Sequence, residues 1–238
     1  MQTTRVRHWE IFDDGLHRLN WERVRQLVKF SAARRVSFSV HGPICDLNTA
    51  TLNHELSRVV MARLESSLEH ASILGAKVWV LHPGTHGALS WVLPGQDWKV
   101  NLGRVRRIQS LGRKLGVEVL IENISAGLAI LGRAADFTRF YRTWHGAPDL
   151  ALDFGHSHIR GETDLFLKKL GGRIRHVHAS DNMGDFDKHL AVGAGSVKWR
   201  RVLASLLEMG FEGTVVVESV RGPFSSLRRI GGLLRSLQ

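Results

Sequence analysis

The sequence predicts an α/β fold in which parallel strands alternate with helices and close into a barrel. Three observations lead there. Short apolar, β-branched runs recur along the chain with helix-patterned stretches between them, and strict alternation of that kind implies parallel strands joined by right-handed crossovers. Nearly every run closes on His, Asp or Glu and is followed by Gly, Pro, Asn or Ser. The length, 238 residues, suits one such barrel. An open doubly wound sheet gathers its polar chemistry at a single switch point. Here every strand from the second onward ends in a polar side chain, and only a closed barrel brings all those ends around one centre.

In chain order, strands are read at 7–12, 36–40, 77–81, 117–121, 150–152, 174–178 and 214–217. Each is a segment of strand length carrying Val, Ile, Leu, Phe or Trp, and nearly all are followed by turn formers. Helices are read at 21–33, 52–74, 98–115, 134–144, 163–170, 197–209 and 224–236. The stretch LNHELSRVVMARLESSLEHASIL places its apolar residues at i, i+3, i+4 and i+7, one buried helix face. Gly75, Gly116 and Gly210 fall just past helix ends, where a left-handed residue is favoured. The expectation is a single domain over 1–238, a TIM-type (βα) barrel with seven recognisable βα units.

The formal net charge is +11 with a pI near 10.8. A basic balance points to an anionic partner, DNA or a phosphorylated small molecule, although Arg104, Arg106, Arg107, Arg113, Lys114, Arg228 and Arg229 lie in helical stretches that face water on any fold. Cys45 is the one cysteine, which excludes an intramolecular disulfide and fits a reducing compartment. It is expected as a small buried residue. No apolar run approaches the roughly 18 residues of a membrane span, and the start, MQTTRVRHWEIFDDG, lacks an apolar signal core. The expected location is cytoplasmic; oligomeric state stays open.

The strand ends carry the chemistry. They are His41 in SVHGP, His82 in VWVLHPG, Glu122 in VEVLIEN, Asp153 and His156 in LALDFGH, His178 in IRHVHASDN and Glu218 in TVVVES. Such groups are costly to bury singly, so their recurrence asks for a shared sink, and a metal centre at a barrel mouth is one. Asp187 and His189, two apart in the loop HASDNMGDFDKHLAVGAG, can turn toward the same place. A His, Asp and Glu set suits a divalent transition metal, zinc first with manganese or iron as alternatives, rather than magnesium or calcium.

These motifs, LHPGTH, IEN, DFGH, HVHASDN, DKHLAVGAG and VVVES, occur in an order that resembles the xylose-isomerase-like TIM barrels, and within them the endonuclease IV branch (AP endonuclease family 2). The resemblance runs from about His41 to Glu218, and the family's first strand has no counterpart. It implies up to three metal ions. His41, His82 and Glu122 would hold the first. Glu122 would bridge to a second, also held by Asp153, His178 and Glu218. His156, Asp187 and His189 would hold the third. The activity implied is phosphoester hydrolysis, a metal-activated hydroxide attacking a phosphodiester as in an AP endonuclease of DNA repair. The alternative, a sugar or sugar-phosphate isomerase or epimerase, needs Glu122, Asp153, His178 and Glu218 alone, with Glu122 and Glu218 as the acid/base pair. The five further residues weigh toward the hydrolase.

Other polar residues receive blander expectations. His86 is read as a hydrogen-bond partner of a ligand, His176 as a core histidine, and Asp181 as orienting His178 or touching substrate. His145 and His158 are read as surface residues, and Trp91 and Trp98 as part of a long connection packed over the rim.

Overall fold

The computed structural model describes residues 6–238. Residues 1–5, the beginning of the stretch read above as lacking a signal core, lie outside the described residues. The chain divides into two compact units, Met1–Ile121 with Leu128–Ile130, and Glu122–Gly127 with Leu131–Gln238.

In the first unit, strands β1 (His8–Phe12), β2 (Ser37–His41), β3 (Val78–Leu81) and β4 (Glu118–Glu122, its last residue opening the second unit) pair in chain order, all parallel. Helices α1 (Trp21–Arg34), α2 (His54–Leu74), the short α3 (Leu89–Val92) and α4 (Gln96–Leu115) make the connections. The long apolar stripe of α2 buries Val60, Met61, Leu64, Leu68, Ala71 and Leu74, as its periodicity requires. The buried Trp79 indole donates to Ser67 Oγ at 3.0 Å, which satisfies its one polar atom inside the core. Helix α2 starts at His54 rather than at 52 because Asn53 caps it: its Oδ1 accepts from Glu55 N at 2.9 Å and Leu56 N at 3.0 Å.

In the second unit, β5 (Leu150–Asp153), β6 (Ile174–Ala179) and β7 (Thr214–Val217) are again parallel and in chain order. Around them lie α5 (Ala134–Thr143), α6 (Phe154–Ile159), α7 (Thr163–Leu170), α8 (Trp199–Glu208) and α9 (Pro223–Arg235). Phe137, Phe140, Phe154 and Phe166 are fully buried, each worth about 1.5–3 kcal/mol of transfer free energy. Phe137 and Phe166 meet edge to face at 5.8 Å between centroids. Seven strands are present among the described residues, the number the sequence predicts. Gly75, Gly116 and Gly210 all take the left-handed conformation, at φ 79, 70 and 67°.

Three expectations need correction. The stretch after Asp153 forms a six-residue helix, α6, too short to show a period in the sequence. Helix α8 begins at Trp199, not at 197, because Val197 N is committed to the Asp181 carboxylate at 3.1 Å. Cys45 is exposed, its amide held in a turn by Asp14 Oδ2 at 2.7 Å, so its side chain never enters the core.

Candidate metal centre

Within each unit the parallel register brings side chains at strand ends to a common level. His41, Glu122 and Asp153 are the last residues of β2, β4 and β5; His178 is the penultimate residue of β6; His82 and Glu218 lie one past β3 and β7. In the first unit His41 and His82 are neighbours, their rings edge to face with centroids 5.0 Å apart, and His41 Nδ1 lies 2.8 Å from Gly42 O.

The second unit contains a set of four. Glu122, Asp153, His178 and Glu218 each offer one ligand atom such that all four atoms lie within 4.8 Å of one another. His178 Nδ1 lies close to both glutamates, 3.0 Å from Glu122 Oε1 and 3.4 Å from Glu218 Oε1. Glu122 is buried, at 1% exposure, whereas the Glu218 side chain is 20% exposed. Asp153 is fully buried, and its two oxygens have different duties. Oδ1 caps α6 by accepting from His156 N at 2.5 Å; Oδ2 is buried with no hydrogen-bond partner. Asn123 fixes the backbone of Asp153, donating to its carbonyl at 3.0 Å and accepting from its amide at 2.8 Å.

Gly155, the third letter of DFGH, is required by crowding. A side-chain carbon there would lie 2.7 Å from Ser180 Oγ and 3.1 Å from Asp153 Oδ1.

Three carboxylates around one imidazole, with a buried carboxylate oxygen left unmatched, cost too much free energy unless a positive charge is held among them. The residues fit a divalent cation. Burial pushes the Asp153 carboxyl above the usual carboxylate range, with Glu122 adding to the rise and His156 and His178 opposing it.

His156, Asp187 and His189, the residues assigned to a third ion by resemblance, are brought together in a different way. One oxygen, Asp187 Oδ2, lies 3.1 Å from both His156 Nε2 and His189 Nε2. His156 Nδ1 is 2.8 Å from Asn123 O, and His189 Nδ1 is 3.0 Å from Glu218 O. Burial opposes a charge on His156, but Asp153 nearby and the Asp187 hydrogen bond outweigh it and raise the pKa to about 10. The Asp187 hydrogen bond, partly offset by burial, raises His189 to about 9. Burial works against the Asp187 carboxylate, yet the two histidines hold it well below the usual range. The three form a charged, hydrogen-bonded array.

A pH dependence follows. For a histidine whose pKa rises on folding, the stabilisation is complete below the unfolded value of 6.5 and is lost as pH rises toward the folded value. The melting temperature of metal-free protein is therefore expected to fall between pH about 6.5 and about 10. His156→Gln should flatten that decline in a calorimetric pH series, and an unchanged slope would refute the assignment.

Other residues depart from expectation. His86 pairs with no candidate ligand; its Nδ1 lies 2.5 Å from Oδ2 of Asp97, a buried residue near the start of α4. Asp181 touches neither His178 nor open space. It is fully buried and accepts from Asn182 N (3.0 Å), Gly193 N (2.7 Å), Val197 N (3.1 Å) and Trp199 Nε1 (2.9 Å). These bonds, with the paired backbone bonds between Asp181 and Leu190, shape the loop that presents Asp187 and His189. His158 is partly buried, with Nε2 2.7 Å from Ser196 Oγ, whereas His145 is exposed as expected. His176 is buried, its ring 5.2 Å from that of His178. Trp91 is 82% exposed rather than packed on the rim.

The family model described as xylose isomerase-like TIM barrel matches residues 6–236. The chain belongs to that family. The barrel expected from the sequence is thus the family's fold. An uncharacterized protein of Methanocaldococcus jannaschii is 28% identical over 216 residues, 89% of this chain and 74% of that protein. The solved structure of a D-tagatose 3-epimerase-like protein superposes with a TM-score of 0.89 at 25% identity, covering 97% of this chain and 89% of that one. A fructoselysine 3-epimerase of Escherichia coli O157:H7 is 34% identical over a shorter stretch of 55 residues, 23% of this chain and 20% of that protein. These findings correct the hydrolase reading. The names of these two relatives carry epimerase activity and none carries hydrolysis, and the endonuclease assignment, with abasic DNA as its substrate, falls. The physical reason lies in the surplus residues: His156, Asp187 and His189 satisfy one another by hydrogen bonds, so their number is no measure of how many ions are held.

No helix among the described residues is long and apolar enough to cross a membrane.

Proposed function

We propose that this protein is a metal-dependent epimerase or isomerase of a keto-sugar or a closely related polyol ketone. The observation that carries the reading is the placement of Glu122 and Glu218 together at one nitrogen of His178, at 3.0 and 3.4 Å from its Nδ1. Glu122, Asp153, His178 and Glu218 would hold one divalent ion. That ion would supply positive charge against the negative charge that develops on substrate oxygens when a proton leaves the adjacent carbon. The two glutamates would do the proton work. One removes the proton from the carbon beside the carbonyl; the other returns a proton to the opposite face, which inverts that centre. Glu218, the more exposed of the two, takes the side nearer solvent. His156 and His189, with both ring nitrogens already engaged by Asp187, Asn123 O and Glu218 O, would brace the margin of the centre rather than touch the sugar. The match of one family model along residues 6–236 supports reading the whole chain as one barrel domain.

The test is incubation of the protein, loaded in turn with Mn²⁺, Co²⁺ and Zn²⁺, with a panel of ketoses and ketose phosphates in D₂O. Proton NMR is expected to show an epimeric or isomeric product carrying deuterium at the inverted or newly protonated carbon. Absence of exchange for every member, with metal demonstrably bound, would overturn the proposal.

A further inference from the structure

The cations behind the +11 charge are not all scattered over water-facing helices. Between residues 191 and 238 there are seven Lys or Arg against three Glu, and four of the seven meet at one place. A cavity of about 680 Å³ is lined by Lys198, Arg200, Arg201 and Arg229, with Trp199 and Leu233 as apolar walls. It lies within the second unit, formed by α8, α9 and the glycine-rich loop ahead of α8.

The four cations differ in commitment. Arg201 is paired with Asp164 at 2.8 Å, and Arg200 donates to Ser236 Oγ at 2.9 Å. Lys198 and Arg229 have no ion-pair partner among the described residues. Arg229 is nonetheless placed: its guanidinium lies across Gly193, where any side-chain carbon would collide with it. Gly193 in turn is tied down by the bond from its amide to Asp181 Oδ2 at 2.7 Å. A group of exposed cations with an uncommitted pair, around a cavity with an apolar wall, is suited to an anion that also carries a flat or apolar body. The volume falls within the roughly 300–1,000 Å³ of small-molecule sites, and cations gathered at one place, unlike a long basic stripe, favour a compact ligand over a polymer.

We propose that this cavity between α8 and α9 is a binding site for a phosphorylated small molecule of the nucleotide class. It is separate from the four-ligand centre, and the proposal does not depend on the reaction proposed above.

The test is titration calorimetry of the intact protein with ATP, inorganic tripolyphosphate, adenosine and a single-stranded oligonucleotide. ATP is expected to saturate one site per chain and to lose affinity as salt rises. Each charge-assisted contact is worth about tenfold in affinity, so the exposed-residue double variant Lys198→Glu/Arg229→Glu should bind at least about a hundredfold more weakly. Arg229→Ala alone should show the intermediate loss, with melting curves confirming that both variants fold. ATP bound more tightly than tripolyphosphate supports use of the apolar wall; equal binding supports recognition of phosphate alone at the same site. Failure of both to bind, binding unchanged in the double variant, or an oligonucleotide bound far more tightly than ATP would each overturn the proposal.

Discussion

Replacing Glu218 by Gln is expected to lower the rate of carbon–hydrogen exchange by about 10²–10⁴-fold, the range attributable to one positioned acid/base group. The substitution keeps shape and an oxygen donor but removes the ability to take up a proton. Because Glu122, Asp153 and His178 remain, the ion should stay bound, and the loss should fall on kcat rather than on metal content. Glu218 is the informative glutamate for a structural reason. Its side chain is 20% exposed and so reaches outward from the centre, while Glu122 is buried beside His178. A variant that retains both metal and near-normal exchange would remove Glu218 from proton transfer and leave it a ligand only. Elemental analysis of the purified variant alongside its kinetics separates these outcomes.

Asp181→Ala is expected to cost about 4 kcal/mol of stability, among the largest effects of any single substitution in this chain. Three amides and one indole N–H converge on that carboxylate, and each buried donor left unmatched is worth about 1–3 kcal/mol. The figure is smaller than the simple total because the loop can relax and admit water. Denaturant unfolding should show a lowered midpoint. Asp181→Asn, which keeps an acceptor but brings a competing donor, should fall between. Destabilisation below about 1 kcal/mol would show that the loop is held by other contacts.

Much of this was legible in the sequence. Strands β2 to β7 announce themselves because each must end in a polar group at the rim and turn immediately, so an apolar run, a His, Asp or Glu, and a turn former occur together. The set of four, Glu122, Asp153, His178 and Glu218, is legible for the same reason. What escaped sequence reasoning depends on contacts without a period or a fixed spacing. Helix α6 has fewer than two turns. Asp181 is satisfied by amides 12 and 16 residues away and an indole 18 away, and backbone donors leave no mark in composition. His86 finds Asp97 across an irregular connection. The choice between hydrolase and epimerase failed for a related reason. Counting His156, Asp187 and His189 as ligands presumes that they face a cation, whereas each can be completed by its neighbours, and residue type alone cannot distinguish the two.

The divided duty of Asp153 has a consequence for how this protein can change. With Oδ1 spent on the first turn of α6, Oδ2 alone would be left for a cation. Lengthening the side chain to Glu would shift both tasks at once, and shortening it would abandon both. Any substitution at this position would therefore disturb the candidate ligand and the start of the helix together.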